Sequence, residues 1–430
     1  MKKIITSIFA LFLIGQLAFA QQNLPIIKAS SVKVAIKDGE EGITKYWYHL
    51  EKSKFPIVYD LAKNQDARQV TFYTDIDSIS FKVMSNASYS FNVILNQKET
   101  ISVMLSTFTT EYSSLNNRTG VDTFPFTVNK NKQILLKGSI NNSPEIDFVF
   151  DLGARITYLI GNNLADKNHL IFDGHIEDES VTGLSSEKTS SRNTLKFGNI
   201  KVENTPICYI EEAGFLEKGG GLIGFNIFQG KILEIDFDKQ VLIIHNNLPN
   251  KKSDYSSIPF KQTTGGMYLP ITINNGAKES SGWYFFDTGA DNSLTFDAKF
   301  AQKEKLQNTM KEIGKAGIAS SENRVINAVV LEVPKVKIAN FTLENVPTLL
   351  ADETHAEAVF EDGVIGIGLQ KRFNMIIDYP NGMIYLKPNQ YFKDTFKKKE
   401  NETDYGKIIG LSIALGILIV GFFLYKKFKH

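Results

Sequence analysis

The chain has 430 residues, of which 43% are hydrophobic, 11% aromatic and 22% charged, a globular composition that excludes a disordered or collagen-like polymer. Lys and Arg number 48 against 47 Asp and Glu, a net charge of +1, so there is no basic excess to neutralise phosphates and no nucleic-acid partner is expected. The length suffices for two or three domains with buried cores.

At the N-terminus, Lys2 and Lys3 precede an apolar run from Ile4 that closes on Ala18-Phe19-Ala20. A charged head, a short apolar segment and small residues describe a secretory signal over residues 1–20, cut before Gln21. A retained signal anchor is the alternative. No cysteine lies in this stretch, so a bacterial lipid anchor is not expected there, and Cys208, the only cysteine of the chain, permits no intrachain disulfide.

From residue 21 to 123 the pattern is of short alternating runs: Val70–Tyr73, Ile79–Val83, Tyr89–Leu95 and Ile101–Leu105. Such alternation predicts strands, and the segment reads as a small β domain with no catalytic grouping.

From Phe124 the chain repeats itself. Phe148-Val149-Phe150-Asp151-Leu152-Gly153-Ala154 has its counterpart in Tyr284-Phe285-Phe286-Asp287-Thr288-Gly289-Ala290. Glu203-Asn204-Thr205-Pro206 corresponds to Glu344-Asn345-Val346-Pro347, and Gly221-Leu222-Ile223-Gly224 to Gly363-Val364-Ile365-Gly366. Ile235-Asp236-Phe237 matches Ile377-Asp378-Tyr379, each opening a hairpin, the second turning on Asn381-Gly382. Four landmarks in one order, at offsets of 136 to 142 residues, mean an internal duplication, with lobes over residues 124–250 and 251–390.

After a polar stalk at 391–407, Ile408–Tyr425 is apolar apart from Ser412, and Lys426, Lys427 and Lys429 follow in a tail at 426–430. Eighteen helical residues rise about 27 Å, enough to cross a bilayer, with the lysines on the cytoplasmic side. A buried helix is the alternative. The expected topology is a single-pass, C-terminally anchored membrane protein with its bulk extracytoplasmic (periplasmic or cell-surface), and the leader and lysine-ended anchor suggest the cytoplasmic membrane of a bacterium.

Each lobe places one Asp at the end of an apolar strand, with Gly two residues on to let the backbone fold back closely. One such Asp-x-Gly is an ordinary turn. Two of them in a duplicated β unit are brought face to face if the halves pack around a pseudo-twofold axis. Carboxyls a few ångströms apart cannot both ionise, so Asp151 and Asp287 would share a proton. One can then act as base on a water while the other polarises a carbonyl, without metal or cofactor.

This constellation resembles the aspartic peptidases, particularly the retropepsin-like branch and bacterial relatives with two such units in one chain. Phe286-Asp287-Thr288-Gly289-Ala290-Asp291 carries the resemblance best, and Leu222-Ile223-Gly224 and Val364-Ile365-Gly366 match the family's apolar-apolar-Gly segment. It covers about residues 124–388. It implies an all-β fold of duplicated retropepsin/pepsin-like barrel lobes, beside the N-terminal β domain and the C-terminal transmembrane helix. It also implies Asp151 and Asp287 as the catalytic dyad and Leu152, Gly153, Ala154, Thr288, Gly289 and Ala290 as the active-site loops. Ile223, Gly224, Ile365 and Gly366 would support them, and flaps would lie near Val181–Ser186 and Gly314–Ser321, neither holding the Tyr of pepsin-like flaps. Leu152 stands where the family has Thr or Ser, whose hydroxyl bonds across the axis, so Leu152→Thr is expected to raise activity or stability.

Other chemistries are poorly represented. The histidines (His49, His169, His175, His245, His355, His430) are scattered, with no paired ligands at helical spacing and no metal site expected, and there is no Gly-x-Ser-x-Gly elbow. Cys208 reads as a packed apolar thiol, and Asp236 and Asp378 as turn caps. Asp291 either orients the catalytic loop or bonds locally. The expected function is endopeptidic hydrolysis of a peptide or protein substrate. Alternatives are a catalytically degenerate peptide- or protein-binding module, and a dimer in which two chains each contribute Asp287.

Overall fold

The computed structural model describes residues 24–396 except 39–43, 51, 53, 62–66, 85–86, 108–110, 115–120, 181–182, 212–219, 229, 264–265, 320–324 and 352–360, together with 409–411. The expected leader at 1–20, the C-terminal residues 426–430 and most of the apolar run lie outside the described residues. Three residues of that run, Ile409–Leu411, form a short strand paired parallel to Lys311–Ala319 rather than a helical turn. No helix among the described residues is long and apolar enough to cross a membrane.

The described chain is overwhelmingly β, with only short helical turns. The four alternating N-terminal runs fall inside strands Arg68–Tyr73, Ser78–Val83, Ser88–Leu95 and Glu99–Ser106. In these strands the inward positions, such as Val70, Phe72, Phe91, Val93, Val103 and Leu105, are fully buried in a core of their own. This unit is stitched to the first lobe by its strand Ile57–Asp60, where Ile57 pairs with His175 of Gly174–Ser180. Two segments ahead of residue 124 belong to the lobes' sheets: Glu111–Ser114 pairs with Ile200–Ile210, and Val121–Pro125 with Val241–His245.

The two lobes share one wiring. In the first, strand Ile146–Phe150 runs antiparallel to Ile134–Ile140 and parallel to Gly220–Ile223, which in turn pairs antiparallel with Thr157–Ile160. In the second, Glu279–Phe286 runs antiparallel to Gly266–Asn274 and parallel to Gly363–Ile365, which pairs antiparallel with Leu294–Phe296. The apolar-apolar-Gly landmark is thus the strand wedged between the Asp strand and the next one. It is wholly buried in both copies, which accounts for its unbroken apolar run.

A six-stranded sheet joins the lobes. At its centre Ile232–Asp236 pairs antiparallel with its own duplicate, Phe373–Asp378, with Ile232 opposite Asp378 and Ile235 opposite Met375. A strand paired antiparallel with its copy generates a local twofold axis, so this register is the structural origin of the pseudosymmetry. One apolar cluster runs through both lobes and across this sheet, including Phe150, Phe228, Leu233, Phe286, Ile365 and Ile377. Within the sheet the fully buried Glu234 meets His245, Nε2 to Oε2 at 2.8 Å.

Candidate active site

Apolar strands deliver both aspartates. Phe148, Val149 and Phe150 are buried before Asp151, and Tyr284, Phe285 and Phe286 before Asp287, and both carboxylates are themselves fully buried. Each loop is seated on its wedged strand. The Asp151 N–H donates to the Ile223 carbonyl at 3.0 Å and the Asp287 N–H to the Ile365 carbonyl at 3.1 Å. Two residues on, the Phe225 N–H reaches the Ala154 carbonyl at 2.9 Å and the Ile367 N–H the Ala290 carbonyl at 2.8 Å. Gly224 and Gly366 lie so close to these loops that a Cβ would collide with the Ile156 and Asn292 carbonyl oxygens.

The geometry of the two carboxyls is the same. Asp151 Oδ1 accepts from the N–H groups of Gly153 at 2.9 Å and Ala154 at 3.1 Å. Asp287 Oδ1 accepts from Gly289 at 2.8 Å and Ala290 at 3.0 Å. The sequence-predicted loop residues therefore form two matching cradles.

The cradles face one another. A Cβ built on Gly153 would stand 2.5 Å from Asp287 Cγ, and one on Gly289 closer still to Asp151 Cγ. Both glycines are thus required by the approach of the opposite carboxyl. Each Oδ2 is buried and receives no N–H or O–H donor from any described residue. A hydrogen bond between the two carboxyls therefore requires a proton on one of them. Burial pushes Asp151 up to about 6 against the restraint of its hydrogen bonds. Burial first, and then the Asp151 charge, holds Asp287 well above the usual carboxylate range. The two titrate as one unit that retains a single proton across a broad span of pH.

Half of the expected cross-lobe lock is present. The Thr288 hydroxyl donates to the Phe150 carbonyl at 2.9 Å and accepts from the Leu152 N–H at 2.8 Å. Leu152 has no hydroxyl to return the bond; its side chain joins the inter-lobe apolar cluster instead, 1% exposed.

Two glutamines not singled out from the sequence brace the second loop. Gln370 Nε2 donates to the Asp287 carbonyl at 2.8 Å and to that of Ile365 at 2.6 Å. From the first lobe, Gln133 Nε2 donates to the Gly289 carbonyl and is itself held by Asn129. Neither carries a motif, and the duplicate of Gln370 is Phe228, so comparison of the two copies does not flag it.

Residues 269–369, the core of the second lobe, match a family model described as aspartyl protease. Residues 269–369 are similar to an aspartyl protease lobe. A solved structure of the aspartic proteinase from Irpex lacteus aligns at 14% identity over 64% of this chain and 100% of the other, with a TM-score of 0.45. No curated protein matches.

Around Asp151 and Asp287, the remaining sequence candidates take structural places. Cys208 is buried in strand Ile200–Ile210 within an apolar cluster. Asp236 accepts from the Lys239 N–H, and Asp378 from the N–H and side chain of Asn381 beside Gly382 at φ 62°, as turn caps do. Asp291 is half-buried immediately after the loop. No described group of His, Cys, Asp and Glu could hold a metal ion. Of the expected flaps, Gly183–Ser186 and Gly314–Ala319 fall on two hairpins, Gly174–Ser180 with Gly183–Phe197, and Lys311–Ala319 with Val325–Ile338, while 181–182 and 320–321 lie outside the described residues.

Proposed function

We propose that the protein is an aspartic endopeptidase in which Asp151 and Asp287 activate one water between them. The observation that carries this reading is the mutual approach of two identically cradled, buried carboxyls, each with one oxygen that no described donor meets. In the singly protonated pair, Asp151 takes a proton from the water as its oxygen attacks the scissile carbonyl carbon. Asp287 meanwhile gives its proton to the carbonyl oxygen. As the C–N bond of the resulting diol breaks, Asp151 gives its proton to the departing amine and a diol hydroxyl gives its proton to Asp287, so the dyad is left with one proton again. Because both carboxyls are buried, peptide entry requires a movement that uncovers them, for which the two hairpins at the flap positions are suited.

The chain is proposed to work outside the cytoplasm on a membrane tether, on the strength of its leader and its lysine-flanked apolar run. Extraction of membranes with alkaline carbonate tests this: release of the full chain into the soluble fraction would remove the tether.

Leu152 favours a second reading, a peptide-binding module that has lost turnover, because it leaves the lobes locked by a single threonine. Incubation of an unstructured polypeptide with the full chain between pH 4 and 8, read by mass spectrometry, separates the two. Discrete fragments are expected. Intact polypeptide that stays bound would leave the binding module in place of the peptidase.

A further inference from the structure

The hairpin of the first lobe leaves the body of the fold at a single rung. There Ile57 of the N-terminal unit, His175, Lys188 and Tyr209 stand side by side on four neighbouring strands. Beyond this rung, 176–180 and 183–187 pair only with one another among the described strands. On the lobe side, Gly183–Phe197 holds Ile200–Ile210 from Lys188 onward, with irregular register between Ser190 and Leu195, a place where a strand bends. On the other side the N-terminal unit grips the root. The His175 N–H donates to the Pro56 carbonyl at 2.9 Å, and His175 Nδ1 lies 3.0 Å from the Phe55 carbonyl. Gly174 is pressed so closely against this unit that a Cβ there would stand 2.3 Å from Val58 Cγ2. The Phe172 ring lies 6.3 Å from that of Phe55 and 5.7 Å from that of Tyr209, and Lys188 Nζ is 5.7 Å from its centre. Ile176, the first residue beyond the rung, is buried in the same apolar cluster as Ala154, Ile156 and Cys208. Ala154 is one of the two residues whose N–H groups cradle Asp151.

We propose that the N-terminal unit is a clamp on this hinge: strand Ile57–Asp60 fixes the rung at His175 and so restrains the movement of the first hairpin that admits a peptide to the dyad. The last clause rests on the peptidase reading, and it gives the N-terminal unit a part in that reaction. A hairpin held on both edges at its root pivots less readily than one held on a single edge, because the second set of hydrogen bonds must break before it turns. The grip is also small. It consists of one ladder pair, the two contacts to the Phe55 and Pro56 carbonyls, the close approach of Val58 and one ring pair, so it can open locally while both cores stay folded.

The test uses the full chain and its only cysteine as the reporter. Cys208 is fully buried and stands opposite Thr189, one position past the rung. Its rate of labelling by dithiobis-nitrobenzoate therefore reads opening of the hinge without any need for turnover. Gly174→Ala drives the hairpin away from Val58 and should speed labelling by about tenfold or more, the scale of one lost hydrogen bond. Adding Val58→Ala removes the colliding methyl and should return the rate toward wild type. Amide exchange of Phe373–Asp378, in the sheet that joins the lobes, should stay unchanged. If Gly174→Ala fails to fold, Phe55→Ala, which removes a half-buried ring from the clamp alone, should speed labelling in the same sense. Labelling at the wild-type rate in these variants would overturn the inference, and so would faster labelling matched by faster exchange of Phe373–Asp378, which is general unfolding. Peptide cleavage then reads the consequence: Gly174→Ala should raise kcat/KM on an unstructured polypeptide several-fold. Faster labelling with unaltered cleavage would remove the control of access while leaving the peptidase reading standing. Absence of cleavage by wild type would instead count against the peptidase reading, and the labelling rates would still decide the clamp.

Discussion

Thr288 is the residue whose loss should cost most for the smallest change in shape. Thr288→Val exchanges a hydroxyl for a methyl in a fully buried site and strands two backbone groups, the Leu152 N–H and the Phe150 carbonyl, which lie 2.8 and 2.9 Å from Oγ1. Each buried group left without its partner costs ~1–3 kcal/mol, so the pair amounts to roughly 2–6 kcal/mol, partly offset by the added apolar contact. Because Leu152 offers no reciprocal bond, nothing takes over the load. Urea unfolding followed by Trp283, which lies in the Asp287 strand, measures it directly. The midpoint should drop by an amount equivalent to at least ~2 kcal/mol, and Thr288→Ser should recover most of it. A change below ~0.5 kcal/mol, the range of an ordinary surface substitution, would show that this hydroxyl does not hold the lobes together.

Leu152→Thr tests the missing half. Packing of Leu152 in the apolar cluster reverses the stability gain expected from sequence, since removing part of a buried Leu costs ~2 kcal/mol or more and a new hydrogen bond returns ~1. The melting temperature should fall while kcat rises, and a fall in both would refute the role given to the lock. Gly153→Ala forces the Asp287 carboxyl out of a space it now fills, and about a hundredfold loss of kcat is expected from such a displacement; a variant with wild-type kcat would mean the carboxyls do not approach as described. Both folded-state carboxyl pKa values lie above the ordinary 3.8, so the native state binds protons more tightly than the unfolded chain and the dyad's contribution to stability declines as pH rises above about 4, through about 6 for Asp151 and further for Asp287. Asp151→Asn should therefore raise the melting temperature at pH 7 more than at pH 4, and an equal effect at both would remove the strained pair.

The duplication was legible because it is written in local patterns. An Asp leaving an apolar strand, a wedged apolar-apolar-Gly strand and an Ile-Asp hairpin each have a cause that acts over a few residues. What joins the copies left no such mark. Ile232–Asp236 and Phe373–Asp378 could be read as strands, but their pairing with each other is a contact between distant segments. The same holds for the bridge between Ile57 and His175, and for Glu111–Ser114, whose sequence resembles the N-terminal unit although its hydrogen bonds go to the first lobe. Leu152 was visible as a departure, yet its destination in the core was not. Gln133 and Gln370 act through backbone carbonyls, a role that any residue of suitable reach could fill and that no pattern announces.

The central claim is that one proton held between Asp151 and Asp287 drives hydrolysis. Asp287→Asn keeps the cradle, because the amide oxygen still accepts from Gly289 and Ala290, and removes only the acid. Peptide cleavage by this variant, followed by mass spectrometry alongside its circular dichroism, tests the claim most directly. The account predicts a wild-type spectrum with cleavage abolished; a folded variant that still cuts the peptide at the wild-type rate would contradict it.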